Sequence, residues 1–316
     1  KDDATPLAVF TPYFKRWLVK SWDAPSETPA PCWVTGLKSD PLPVNPELPH
    51  ALPRASEAAA WARWDQFKSS ALGTYSDNRN APGTDGTSML SPYLRFGIVH
   101  PRQLLAEAEP IESNRTFVSE ICWREFYADV LYNKPHTAWE NLQTKMNVLP
   151  HDTGRVADER FAAWCEGKTG YPIVDAGMRQ LLRTGWMHNR VRMIVASFLV
   201  KDLHLPWQRG ARFFMRHLVD GDLASNNHGW QWTAGTGTDA APYFRVFNPS
   251  SQSEKFDPNG DYVRSWVPEL AEASAADIHA PWLAKSGIPA GYCPPIVDHA
   301  AEREETLRRY KIVSGK

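Results

Sequence analysis

The chain has 316 residues, 42% hydrophobic and 22% charged, enough apolar matter for a large core and too much for a disordered state. Lys and Arg number 35 against 36 Asp and Glu, and the net charge of -1 denies the chain a general basic field while leaving room for a local basic face. The most apolar stretch, Met193 to Val200, falls far short of the ~20 residues a bilayer span needs, and the opening KDDATPL carries no apolar signal region. A soluble cytoplasmic protein is expected.

In chain order, Lys1 is no initiator Met, and VFTPYFKRWL opens as if an earlier segment had ended, so residues 1–22 read as the tail of a preceding unit. Residues 23–54 read as a linker. Eight prolines (Pro25, Pro29, Pro31, Pro41, Pro43, Pro46, Pro49, Pro53) forbid a helix there and favour an extended path. From Ala55, ASEAAAWARWDQFKSSAL is rich in helix formers and stops at Gly73. Helices are then expected at about 112–132, 157–166, 171–184, 186–204, 207–219 and 225–234, with no run of alternating strands. The fold class is therefore all-α from residue 55 onward. Val174, Met178, Leu181 and Leu182 mark the buried face of one helix, and Val191, Ile194, Val195, Phe198 and Leu199 that of the next. The second helix carries Asn189, Arg190, Arg192 and Met193 opposite, a set that suits either a ligand wall or a plain surface.

The four cysteines, Cys32, Cys122, Cys165 and Cys293, lie far apart and suggest neither a disulfide framework nor a zinc cluster. Fourteen tryptophans are the compositional oddity, suited to core filling, ring stacking or electron transfer. Glu120, Trp123 and Arg124 share one helical face at i, i+3 and i+4. That face is either an intrahelical Glu–Arg pair beside a core indole or a stacking platform with an acid beside it. In DGDLASNNHGWQW, Asp220 and Asp222 flank a glycine at a helix start, where capping accounts for one carboxylate more easily than both. A D-x-D metal site lacks further ligands at suitable spacing, and no metal is expected. Asn226 and Trp230 share a face, and Trp232 points away from it. GTDGTSMLS is a Gly/Ser/Thr loop able to hold phosphates, as many surface turns are.

Taken in order, YSDNRN (75–80), GTSMLS (86–91), EICWREFY (120–127), EGKTGYPIVDAGMRQL (166–181), GWMHNRVRMIVASFLVKDL (185–203), DGDLASNNHGWQW (220–232) and GTDAAPYFRVFNP (237–249) resemble the helical flavin-binding domain of the photolyase/cryptochrome family. More narrowly, the resemblance is to class I photolyases of cyclobutane pyrimidine dimers. It runs from Tyr75 to about Leu270, and VFTPYFKRW resembles the end of the family's α/β antenna domain. The resemblance thus implies an antenna tail at 1–22, a linker at 23–54 and a helical FAD domain at 55–316. An antenna chromophore of unknown identity would belong to the missing N-terminal domain.

The resemblance implies that Tyr75, Thr87, Ser88, Leu90, Ser91 and Arg124 hold FAD at its phosphates and adenine half. It sets Asp220 and Asp222 near the ribityl and ring portion, pairs Arg192 with Asp220, and turns Asn226 toward flavin N5. Glu120, Trp123, Asn189, Arg190, Met193 and Trp232 would line the pocket for an extruded dimer, with Glu120 stabilising transient negative charge. Arg79, Arg190, Arg245 and Gln252 are the expected DNA-backbone contacts. The implied activity is light-driven dimer repair by a monomer carrying reduced, anionic FAD, with a cryptochrome-type light sensor as the alternative. Met193 stands where six-four repair enzymes need a histidine, and Asn226 stands where plant-type sensors usually have an acid. Trp230 and Trp207 match the inner two members of the family's electron-transfer chain. The outer member has no aromatic counterpart in VLPHDTGRVADER (148–160), so the chain is expected to end differently and photoreduction to be slow. Met89 stands where some relatives place a basic residue.

Overall fold

Caps and glycines set the helix boundaries. Ser56, Asp222 and Asn248 accept backbone N–H groups at three helix starts, and Gly167, Gly185 and Gly235 close three helices in the left-handed conformation. The computed structural model describes residues 5–26, 29–44, 52–108, 111–239, 242 and 245–314. These contain α1 (Phe10–Lys20), α2 (Glu57–Ser70), α3 (Tyr75–Asn78), α4 (Ser91–Arg95), α5 (Pro101–Ala108), α6 (Arg115–Asn133) and α7 (Arg155–Glu166). They continue with α8 (Pro172–Thr184), α9 (Asn189–Ser197), α10 (Trp207–His217), α11 (Leu223–Ala234), α12 (Pro249–Phe256), α13 (Asp261–Trp266) and α14 (His299–Ser314). No strand occurs among the described residues, and no helix is long and apolar enough to cross a membrane.

Two cores hold the helices. The larger gathers Trp164, Val174, Met178, Val191, Ile194, Phe198, Trp207, Phe214 and Trp230 from α7–α11 and the turn after α9. The smaller gathers Phe10, Phe14, Trp64, Phe67, Phe117, Ile121 and Phe126 from α1, α2 and α6. α1, from the expected tail, thus shares a core with the helical region. Described linker residues form no helix, and Trp33, Val34 and Leu42 stand exposed; Pro46 and Pro49 lie outside the described residues.

Two expectations are corrected. Leu182 is 38% exposed, because it lies off the side of α8 that buries Val174, Met178 and Leu181. The helix expected over 186–204 begins at Asn189, where the His188 imidazole accepts the Arg190 N–H, and ends in a π-turn at Phe198–Asp202. Where α8 crosses α9, a Cβ on Gly177 would come within 2.4 Å of Val191 Cγ1, so the close approach requires glycine.

Candidate functional site

α6, α9 and α11 turn their polar faces toward one another around a cavity of ≈ 390 Å³. α6 contributes Glu120, Trp123, Arg124 and Tyr127; α9 contributes Asn189, Arg192 and Met193; α11 contributes Ser225, Asn226, Trp230 and Trp232. Arg79, Phe214, Asp220 and Asp222 complete most of the wall. The Asn-Arg-Arg-Met face of α9 is therefore largely a cavity wall. Trp232, expected to point away from Asn226 and Trp230, borders the same space.

The two aspartates of DGDL divide their work. Asp222 caps α11, its Oδ1 accepting Ser225 N–H at 2.8 Å. Asp220 pairs instead with Arg192, whose guanidinium donates to Asp220 Oδ2 at 2.8 Å and to the Met187 carbonyl at 2.8 Å. The remaining oxygen, Asp220 Oδ1, is buried without a hydrogen-bond partner. Asn226 donates from Nδ2 to the Ala211 carbonyl and to Asn227 Oδ1, so its Oδ1 is the side-chain atom left free of protein partners. The amide is thus left with an acceptor to offer a ligand.

Glu120 makes no pair with Arg124. It is bonded to Arg79, whereas Arg124 lies 3.7 Å from Glu125 and donates to the Leu94 carbonyl at 3.4 Å. Enclosure by protein pushes the Glu120 carboxyl above its usual pKa, an effect larger than the opposing pull of Arg79. The carboxyl is still reached from the cavity. Arg79, expected at a DNA phosphate, is turned inward onto this acid.

Trp123 belongs to the cavity edge and to the smaller core at once. Phe10 of α1 stacks on its indole with ring centroids 3.7 Å apart and 8° between planes, so at most one face remains for a ligand. Nothing in the spacing of VFTPYFKRW singled out Phe10; only its amphipathic pairing with Phe14 was readable, and that signals burial. Trp230 packs against Trp164 (6.1 Å) and Phe214 (5.0 Å), and Trp207 donates from Nε1 to Asn141 Oδ1 at 2.9 Å. Both are buried, and neither Trp164 nor Asn141 was anticipated.

Other expected site residues lie outside the cavity wall. Tyr75 packs edge-on against Phe67 and Phe117, and Leu90 is buried. Ser91 Oγ accepts Trp186 Nε1 at 3.4 Å. In the loop carrying Thr87 and Ser88, Arg63 donates to both carbonyls and to the Asp85 carboxylate, and Met89 takes a left-handed φ of 53°. Arg190 donates to Asn80 Oδ1 and lies 4.3 Å over the Phe256 ring. Gln252 is half-buried on α12 and Arg245 is exposed, with Lys201 Nζ donating to its carbonyl at 2.7 Å. Of the GTDAAPYFRVFNP motif, residues 240, 241, 243 and 244 lie outside the described residues.

Comparison with known proteins agrees with this geometry. Residues 117–312 match the family model described as the FAD binding domain of DNA photolyase. The chain is 43% identical to the deoxyribodipyrimidine photo-lyase of Vibrio cholerae, covering 97% of this chain and 68% of that protein. Among solved structures it resembles a bacterial class III photolyase from Agrobacterium tumefaciens, with a TM-score of 0.86 and 38% identity, over 100% of this chain and 70% of the other. It also resembles a Synechocystis cryptochrome, with a TM-score of 0.76 and 33% identity, over 83% of this chain and 58% of the other. A helical domain whose cavity joins an acid, two accessible indoles, a held amide and an Arg–Asp pair, and which aligns along nearly its whole length with such enzymes, belongs to the DNA photolyase family.

Proposed function

We propose that this chain uses light to split cyclobutane pyrimidine dimers in DNA, holding FAD and an extruded dimer side by side in the cavity between α6, α9 and α11. The observation that carries this reading is the convergence of Glu120, Trp123, Trp232, Asn226 and the Arg192–Asp220 pair on one space.

The wall suits a flavin dinucleotide. Asp220 Oδ1 is a buried acceptor without a partner, fit for a ligand O–H or N–H, since such an oxygen otherwise costs ~1–3 kcal/mol. Arg124 and Arg192 border the cavity and offset phosphate or ring charge. When bound, reduced FAD supplies the photoexcited electron that opens the cyclobutane ring. Asn226 offers a neutral carbonyl with no proton to lose, which suits a flavin kept as its reduced anion. Arg63 occupies the carbonyls of the 87–88 loop, supporting a role for the Thr87 and Ser88 hydroxyls at phosphate. Tyr75, Leu90 and Ser91 would shape the adenine half.

Toward the lesion, Trp232 and the open face of Trp123 supply stacking for bases that have lost their own, worth ~1–3 kcal/mol per base. Asn189 and Met193 complete that wall. Glu120, with its pKa raised, is disposed to present a proton to a thymine carbonyl and to stabilise the charge that develops there. Arg190, Arg245 and Gln252 serve as backbone contacts, which give affinity regardless of sequence.

The test is repair of a dimer-containing oligonucleotide by the FAD-loaded, reduced chain. Dimers should disappear under illumination and persist in the dark, and Trp123→Ala and Trp232→Ala should lose repair while keeping flavin absorption. A flavin-loaded chain that leaves dimers intact in light is a light sensor, and the repair reading fails.

A further inference from the structure

The buried tryptophans behind the cavity raise the question of how a positive hole reaches water. Trp230 has two indole candidates beyond it. Trp164 is in ring contact, but it is fully buried, its Nε1–H is held by the Val195 carbonyl, and its other ring neighbours are Phe161, Phe213 and Phe214. Phenylalanine is far harder to oxidise than indole, so a hole on Trp164 goes no further. Trp207 lies three residues before Gly210, on the same face of α10. At Gly210 a Cβ would come 2.1 Å from Trp230 Cη2, so the missing side chain lets the Trp230 ring lie against that face.

Trp207 cannot trap the hole either. Its Nε1–H is bonded to Asn141 Oδ1, and an amide oxygen is too weak a base to take the proton. The charge must return inward or move on. Residues 148–160 hold no Trp, Tyr or Phe. Among the described residues two tryptophans are predominantly exposed, Trp33 at 81% and Trp139 at 64%. Trp33 lies in the linker with no hydrogen bond to the α10 region. Trp139 is tied to that region twice: its carbonyl accepts Gln208 Nε2 at 3.1 Å, and Asn141, two residues on, accepts the Trp207 indole.

We propose that Trp139 is the surface terminus of the electron path, replacing the aromatic residue missing from 148–160. An electron leaving Trp207 inward makes that indole a cation radical; Trp139 gives up one electron and restores it. Trp139 then loses its N1 proton to bulk water, which prevents return of the charge. A soluble thiol reduces the neutral radical, the indole regaining its proton and two thiyl radicals closing to a disulfide. The inference rests on the proposed flavin reading, and it deepens it by naming the residue that meets the external reductant.

The test is laser-flash absorption and electron paramagnetic resonance of the protein loaded with oxidised FAD, comparing wild type, Trp207→Phe and Trp139→Phe. Wild type should yield a long-lived neutral tryptophan radical, quenched by added thiol. Trp139→Phe should lose that long-lived signal while keeping a short-lived cation radical, and Trp207→Phe should lose both. Prolonged illumination in air should leave oxidised indole at Trp139 in wild type and not in Trp207→Phe, as read by peptide mass. A long-lived radical that survives in Trp139→Phe, or appears on tyrosine, overturns the terminus and leaves the flavin reading standing. A chain that shows no flavin absorption, or is indifferent to Trp207→Phe, fails at the earlier step.

Discussion

At the scale of single residues, the informative event is the capture of Glu120 by Arg79. The family resemblance implies Glu120 at the lesion and Arg79 at a phosphate, yet the two side chains are bonded to each other at the cavity wall. Burial and ion pairing pull this acid in opposite directions, and burial prevails. If the protonated form assists repair, the yield should fall as pH rises through the raised pKa. Arg79→Ala removes the pull toward the charged form, so that fall should move to higher pH, measured as repair yield against pH for the reduced, loaded protein. Glu120→Gln keeps a donor in place and should retain more repair than Glu120→Ala. The pairing was not legible because 41 residues separate the partners, and side-chain spacing reports only neighbours within a helix. That one aspartate of DGDL caps a helix, in contrast, was legible, since capping is decided within three residues; which of the two does so was not.

At the scale of elements, the buried face of α9 followed from periodicity, but its ends did not, and neither did the placing of Trp232 on α11. The π-turn at Phe198–Asp202 answers to α14, which lies far away in sequence. His299 bonds Asp202, Thr306 bonds the Lys201 carbonyl, and Glu302 meets His204 at 2.7 Å. Two buried charges at this joint give opposite pH signatures. Burial raises Asp202 to about 6, so the folded state holds that proton more tightly than the unfolded chain, and stability falls as pH climbs from about 4 to 6. Burial lowers Lys201 to about 8, so the unfolded chain binds the proton more tightly, and stability recovers as pH climbs from about 8 to about 10. Each effect is on the order of 3 kcal/mol at full extent. Urea denaturation across that range should show both slopes, with Asp202→Asn flattening the first and Lys201→Met the second. The contact of α10 with α11 is as exacting. Gly210→Ala drives a methyl into Trp230 and Leu199 and should cost about 1–3 kcal/mol, read as a lower denaturation midpoint.

At the scale of the molecule, α1 is joined to α2, its partner in the smaller core, by a linker whose described residues form no helix. Residues 29–44 form no helix and are exposed throughout, so a protease should cut there first. The cut protein should nevertheless migrate as one species on gel filtration, because Phe10 and Phe14 remain inserted beside Phe126 and Ile121. Separation should need mild denaturant, and a cut chain that parts spontaneously would show that α1 contributes little. The all-α class and the helices α2 and α6 to α11 were readable because local signals determine them; the short α3–α5 and the helices α12–α14 were not. The docking of α1 was not, since no local pattern states which distant surface an amphipathic helix will choose.

That docking limits how the cavity wall can vary. Phe10 and Trp123 fill a single slot between them, so neither ring has an independent size. A bulkier group at position 10 would push the indole into the cavity, and a smaller one would let it tip backward. Variants that alter one ring should therefore be rescued by a reciprocal change in the other, as two halves of a hinge-pin must be machined together.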